Sequence, residues 1–269
     1  MNTSLNQPRT WWNPFFLLIL GTLGCMPQNP QKKLSFSVPG NFRSAQLDFS
    51  NVKSAYENHY FILLDELKSL NIHPDSFSIY MRVFKTEEVL ELWCRNASEK
   101  KHFLLKTFSI CAKSGELGPK RKEGDLQVPE GFYFINHFNP LSKFHLSLGI
   151  NYPNPSDLIF ADTKTPGGEI YLHGGCVTIG CLPLTDVSIS ELYVYAVEAK
   201  NAGQIEIPVT IFPFRKNHPD KINFEKTGNT ETLKLWKELE KAERLFEESA
   251  LIPEILFLET GRHEIKNGH

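Results

Sequence analysis

The chain has 269 residues, 41% of them apolar and 22% charged, with a formal net charge of -2. That length and apolar share can bury a sizeable core, which excludes a disordered chain and allows one large domain or a medium domain with appendages. The near-neutral balance supplies no electrostatic footprint for nucleic acid. Twenty Phe and eight Tyr against three Met point to a strand-rich core.

The first 25 residues stand apart. One cation besides the terminal amine, Arg9, precedes an apolar run from Phe15 to Leu23, and Gly24-Cys25 follows. The run is too short for a stable bilayer span, so the layout is that of a secretory signal. A cysteine directly after a small residue here resembles the lipoprotein processing site, with Thr22-Leu23-Gly24 a loose version of its box. On that reading residues 1–25 are a lipoprotein-type signal peptide and Cys25 becomes the lipidated first residue. The protein is then exported to the periplasm and held at a membrane by its lipid anchor. An ordinary signal peptide cut nearby, or an uncleaved anchor, is the alternative. Residues 26–50 carry Pro, Asn, Gln, Ser and Lys without sustained periodicity and read as a tether.

From Ala55 to Leu70 the apolar positions Tyr56, Tyr60, Leu63, Leu64, Leu67 and Leu70 recur at helical spacing, and Asn71 to Pro74 ends the helix. Ile79 to Trp93 alternates apolar and polar residues around a charged turn at Lys85 to Glu88, as an antiparallel hairpin does. Phe103 to Cys111 and Gly131 to Phe138 are further strands. Between them Ser114 to Glu130, rich in Gly, Pro, Lys and Glu, reads as an exposed loop. Short elements at Ile170 to His173 and Glu191 to Ala199 flank a Gly-rich segment, and a strand from Ile205 to Phe214 ends at Pro213. Thr232 to Glu248 forms an amphipathic helix with Leu235, Leu239, Ala242 and Phe246 on one face, suited to capping the domain. Ile255 to Glu259 is a terminal strand. The expected fold is mainly β with flanking helices, in a domain over residues 51–215 with a C-terminal helix–strand extension over 216–269.

Four cysteines remain once Cys25 is set aside, and export permits disulfides. In the hairpin register Cys94 faces a residue near His102, well away from Cys111. Both therefore read as buried thiols acting as small hydrophobes.

The chemistry concentrates in His173-Gly174-Gly175-Cys176-Val177-Thr178-Ile179-Gly180-Cys181. Three readings compete. Cys181 is a nucleophile, with His173 folding back across the glycine turn as its base, Gly180 letting substrate approach, and backbone amides near Cys181 stabilising an oxyanion. Alternatively His173, Cys176 and Cys181 bind zinc, although the x₄ gap is unusual and no fourth ligand is evident. In the third reading the glycines make a tight buried turn and the thiols are inert. Cys176 reads as a structural thiol, with a redox bridge to Cys181 a minor alternative. His145 is either a substrate contact or a hydrogen-bonded core residue. Lys113, Lys120, Arg121 and Lys122 either meet peptide carboxylates or decorate a solvated loop.

His173-Gly174 followed by Thr178-Ile179-Gly180-Cys181 resembles the signature of the L,D-transpeptidase (YkuD) family. Val128-Pro129-Glu130-Gly131-Phe132-Tyr133 resembles that family's Thr-Pro-x-Gly-x-Phe entry strand. Arg82 to Lys85, Ser109 to Cys111, Ser114 to Lys120 and Lys143 to Asn154 are similar to its YafK-like branch, so the resemblance spans roughly Ile79 to Phe214. It implies a two-sheet β-sandwich of the YkuD type and no cofactor or resident metal. It also implies a site in which Cys181 attacks a diaminopimelate-type carbonyl and His173 carries the proton. Gly174 would orient the imidazole through its carbonyl, and Thr178 and Gly180 would shape the loop. The implied partners are peptidoglycan stem peptides and, in the YafK-like branch, a wall-linked lipoprotein released by hydrolysis. Two departures from most transpeptidases, Pro183 near the nucleophile and the short His173–Cys181 gap, are similar to that branch. The rival readings are a catalytically inactive wall-binding lipoprotein and a metal-stabilised structural protein.

Overall fold

The computed structural model describes residues 42–269. The signal sequence over residues 1–25, the lipidation position Cys25 and most of the tether lie outside the described residues. Where the tether was expected to run on to residue 50, the chain is already helical: α1 (Phe42–Leu47) is followed by α2 (Ser50–Ser69). Val52, Ala55 and Tyr56 in its first turns are buried, so the apolar stripe begins a turn earlier than its clear period.

The hairpin forms as its alternation demands. β1 (Phe77–Phe84) pairs antiparallel with β2 (Val89–Asn96), Ile79 opposite Cys94. β3 (Phe103–Ser109) pairs next, with Cys94 opposite Phe103. Then come β4 (Gly131–Asn139), β5 (Ser147–Ile150), α3 (Pro155–Phe160), β6 (Tyr171–His173) and β7 (Leu182–Pro183). The chain continues through α4 (Asp186–Asn201), β8 (Pro208–Phe212), α5 (Lys221–Glu225), α6 (Thr230–Ser249), β9 (Glu254–Phe257) and β10 (His263–Lys266). Eight strands form one mixed sheet, ordered β3-β2-β1-β8-β4-β5-β6-β7, and β9–β10 form a second, small sheet. The fold is mainly β with flanking helices, its two sheets very unequal in size. The β1–β8 and β6–β7 pairs run parallel and the other six antiparallel.

Strand alternation gives the large sheet two covered faces. One packs Ile79, Met81 and Val83 against α2 and α4. On the other, Leu235, Trp236, Leu239, Ala242 and Phe246 of α6 meet Phe84, Phe132, Phe212 and Phe214. α6 therefore caps the sheet, as its amphipathic stripe requires. The segment expected as a short element at Glu191 to Ala199 is instead the middle of the 16-residue α4. Every residue from Leu192 to Ala199 is buried, so no polar face betrays the helical period.

The stretch 114–130 contains no helix or strand, yet it is not the exposed loop its composition implies: Lys120, Val128 and Glu130 are buried. Lys85 fastens it. Its ammonium donates to the Glu130 carboxylate at 2.8 Å and to the carbonyls of Gly118 and Val128 at 3.0 Å each. A buried charge is tolerable only when paired and hydrogen-bonded in this way.

Candidate active site

β6 ends on His173 and β7 starts at Leu182, so the loop between them places Cys181 at the edge of the sheet. The two strands are in parallel register, Leu172 beside Leu182 and His173 beside Pro183. Cys181 lies directly before β7, at the end of the loop that starts after His173. Among the described residues no hydrogen bond joins the Cys181 sulfur to the imidazole.

A disulfide holds this loop. Cys176 is bonded to Cys111, with Cα atoms 5.3 Å apart across 65 residues of sequence. This corrects the reading of Cys111 as a buried free thiol and leaves no bridge between Cys176 and Cys181. Hairpin register placed Cys94 away from Cys111 correctly but gave no information about the distant loop that reaches Cys111. Beside the disulfide, the Cys111 amide donates to Pro183 O at 3.0 Å, tying the end of β3 to β7. The zinc alternative loses a ligand, since a disulfide sulfur is not a thiolate. Cys94, in the core, is free, and burial pushes its thiol up to about 12.

Thr178 closes the turn before the nucleophile. Its hydroxyl donates to Cys181 O at 2.9 Å and accepts from the amides of Cys181 at 2.8 Å and Gly180 at 3.2 Å. Those two amides are the nearest candidates for an oxyanion hole, and in this arrangement Thr178 engages both. Gly180 has φ of +133°, and a Cβ there would lie 3.1 Å from Gln127 O. Glycine there lets the 114–130 stretch pack on the loop.

His173 is buried under the Phe144 ring, centroids 4.8 Å apart. Its Nδ1 lies 2.6 Å from Gly174 O. A carbonyl only accepts, so Nδ1 carries the proton and Nε2 keeps its lone pair. Burial lowers the imidazole below its ordinary 6.5, opposed by the Gly174 hydrogen bond. A Cβ on Gly174 would strike the Asp186 carboxylate and lie 2.8 Å from Phe144 O, so only glycine fits. Asp186, not singled out in the sequence, also accepts the Gly175 amide at 2.9 Å. The Cys181 thiol is half-buried, and that burial raises it above 9.0; the Tyr171 amide and the charge of Lys120 oppose this, while Glu169 adds to it. Imidazole and thiol are thus both neutral at rest.

Cys181 opens on a cavity of about 540 Å³, with Ile110, Lys113, Leu117, Val128, Leu182 and Phe224 in its wall. A second cavity, about 430 Å³, lies elsewhere and does not include Cys181. His145 is not in either lining. It sits in a left-handed turn before β5, and its Nε2 lies 2.7 Å from Ser190 Oγ on α4, the hydrogen-bonded arrangement of the two expected for it. Of the four cations, Lys113 borders the cavity, exposed and 2.7 Å from Glu88. Lys120 is buried against Asp125 at 2.6 Å, and Arg121 lies 3.2 Å from Asp157. Phe224 and Thr227 were invisible to motif reasoning because they lie far from the signature in sequence.

The chain belongs to the L,D-transpeptidase family. It is similar to YafK of Escherichia coli (strain K12), with 31% identity over 179 residues that span 66% of this chain and 70% of YafK. The YafK of Escherichia coli O157:H7 matches equally; in both, the assignment as an L,D-transpeptidase is itself provisional. Two solved structures share weaker likeness. Pgp2, a helical cell shape determining protein of Campylobacter jejuni, has 18% identity and a TM-score of 0.42, over 69% of this chain and 74% of its own. Bd1075 of Bdellovibrio bacteriovorus has 19% identity and a TM-score of 0.37, over 67% and 77%. No model of a known protein family matches the chain.

Proposed function

We propose that the chain is a cysteine acyl-transferase of peptidoglycan in which Cys181 takes the acyl group of a diaminopimelate-containing stem peptide as a thioester. The observation that carries this reading is the placement of Cys181. Of the two free thiols described, Cys94 is in the core and Cys181 borders the 540 Å³ cavity, directly before the strand that pairs with the one ending on His173, whose Nδ1 carries the proton. His173 Nε2 takes the thiol proton as sulfur attacks the carbonyl carbon. It then returns that proton to the departing amine as the C–N bond breaks. Such pairs commonly tighten only once substrate is bound.

Water resolves the thioester in this reading, giving a carboxylate and regenerating the thiol. A transpeptidase must also bind an acceptor amine and exclude water. The cavity beside Cys181 is open to solvent at Lys113 and Glu116, which supports access of water to the thioester. The amide cleaved is then one formed by diaminopimelate, as in the link that tethers a lipoprotein to the wall. Export and membrane anchoring through a lipidated Cys25 belong to the same reading. Cys25→Ser should move the protein from the detergent phase to the soluble fraction, and a wild type wholly soluble would defeat the anchor. The enzymatic test is mass spectrometry of products from cross-linked and lipoprotein-linked peptidoglycan in ¹⁸O-water. Hydrolysis labels the new carboxyl; new 3→3 cross-links without label would mean transpeptidation instead.

A further inference from the structure

The residues that carry the family resemblance end near Phe214, but the cavity beside Cys181 does not. Phe224 of α5 and Thr227 beyond it form part of its wall. Phe224 is held in place: its ring packs on Phe214 at 5.2 Å and on His218 at 5.0 Å between centroids. Phe214 in turn meets Trp236 edge-on at 5.1 Å, and the Thr227 hydroxyl donates to Phe224 O at 2.7 Å.

One buried carboxylate joins this C-terminal wall to the rest of the cavity. Glu130 accepts from Trp236 Nε1 at 2.7 Å through one oxygen. Through the other it accepts from Lys85 Nζ and the Gly118 amide at 2.8 Å each. Lys85 also donates to Val128 O, and Val128 lines the cavity. The two walls are therefore fixed through a single hydrogen-bonded centre, which is how a binding surface keeps its shape without substrate.

We propose that Phe224 and Thr227 are part of the substrate site, with Phe224 as its specificity-determining apolar wall. The inference rests on the acyl-transfer reading and adds the part of the substrate that Phe224 meets. Ile110, Leu117, Val128 and Leu182 face the same space, so the lining is apolar for a site next to a nucleophile. Its polar part comes from Lys85, Thr86, Lys113, Ser114, Glu116 and Thr227, and at the rim the exposed Lys113 pairs with Glu88 at 2.7 Å. An amino acid whose methylene chain ends in charged groups fits that distribution. The methylenes lie against Phe224 and its apolar neighbours, and the charged end reaches the ion pair at the rim. The diamino acid of a stem peptide has this form.

The test is calorimetric binding of a diaminopimelate-containing tetrapeptide to Cys181→Ala protein. Adding Phe224→Ala should weaken binding roughly ten-fold, as expected for losing an apolar wall over two methylenes. Phe224→Leu should keep most of the affinity. Ile222→Ala, on the exposed side of the same helix, should change nothing. In chains with Cys181 intact, Phe224→Ala should raise KM with little change in kcat, and leave the alkylation rate of Cys181 by iodoacetamide unaltered. Equal peptide binding by folded Phe224→Ala and Ile222→Ala proteins would overturn the proposal. Phe224-dependent binding without turnover by the intact chain would support it and overturn the acyl-transfer reading; absence of binding to any variant would overturn both.

Discussion

Neutral imidazole beside neutral thiol is an unusual resting state to ask of a cysteine nucleophile, and it has a direct consequence in pH. His173 is lowered below 6.5 by burial, so it stays an unprotonated base down to lower pH than a free histidine. Cys181 is raised above 9.0, so it stays a thiol to higher pH than a free cysteine. The kcat/KM profile should therefore be a broad plateau, with its acid limb below 6.5 and its basic limb above 9.0. Iodoacetamide should alkylate Cys181 slowly at neutral pH, the rate still climbing above pH 9. Fast alkylation in mild acid would mean a thiolate–imidazolium pair and contradict the account. Thr178 is testable at the same scale. Thr178→Val keeps the shape but loses three hydrogen bonds, and should lower kcat by about ten- to a hundred-fold, whereas Thr178→Ser should retain most of it. Equal kcat in both variants would show that the hydroxyl does not set the loop.

At the scale of elements, the covalent tie between the end of β3 and the nucleophile's loop dominates. Constraining 65 residues should stabilise the fold by about 4 kcal/mol through the unfolded chain. The double variant Cys111→Ser/Cys176→Ser should show that loss in denaturant unfolding, and reduction of the wild type should reproduce it. Identical unfolding midpoints with and without reductant would contradict the bond's role. This pairing was illegible in sequence because nothing local links two residues so far apart. The hairpin β1–β2 and the helix α6 were legible, because Ile79 to Trp93 alternates and Leu235, Leu239, Ala242 and Phe246 fall on one stripe. α4 was misjudged because Leu192 to Ala199 is buried on every side, Glu198 included, so no exposed polar stripe marks the helical period. β10 was missed because His263 to Lys266 is four residues of alternating burial, with Glu264 and Lys266 facing solvent. The signature singled out Cys181 and His173, which flank the loop between β6 and β7, but it could not show that Thr178 occupies the amides near the nucleophile.

For the whole molecule, the joint between α6 and the large sheet is centred on Arg82. Its fully buried guanidinium lies 3.4 Å from Glu91, 3.7 Å from Glu243 and 3.5 Å from Glu247. It also stacks over the rings of Phe84 and Phe246, at 5.0 and 4.9 Å from their centroids. Arg82→Met fills similar space but leaves Glu243 buried without its cation, while Glu91 keeps Arg215 at 2.6 Å, and should cost about 3 kcal/mol. Thermal unfolding followed by tryptophan fluorescence checks this, since Trp236 on α6 reports the joint. An unchanged midpoint would show that apolar packing alone seats the helix. Because Trp236 also holds Glu130, loosening α6 should reach the cavity next to Cys181.

The central claim is that Cys181 carries the acyl group. The most direct measurement is intact-protein mass spectrometry after brief mixing with a diaminopimelate-containing stem peptide and an acid quench. The account predicts an added acyl mass on the wild type, mapped to Cys181 and cleaved by hydroxylamine, and none on Cys181→Ala, with turnover lost in that variant. Turnover or an acyl adduct that survives Cys181→Ala would contradict it.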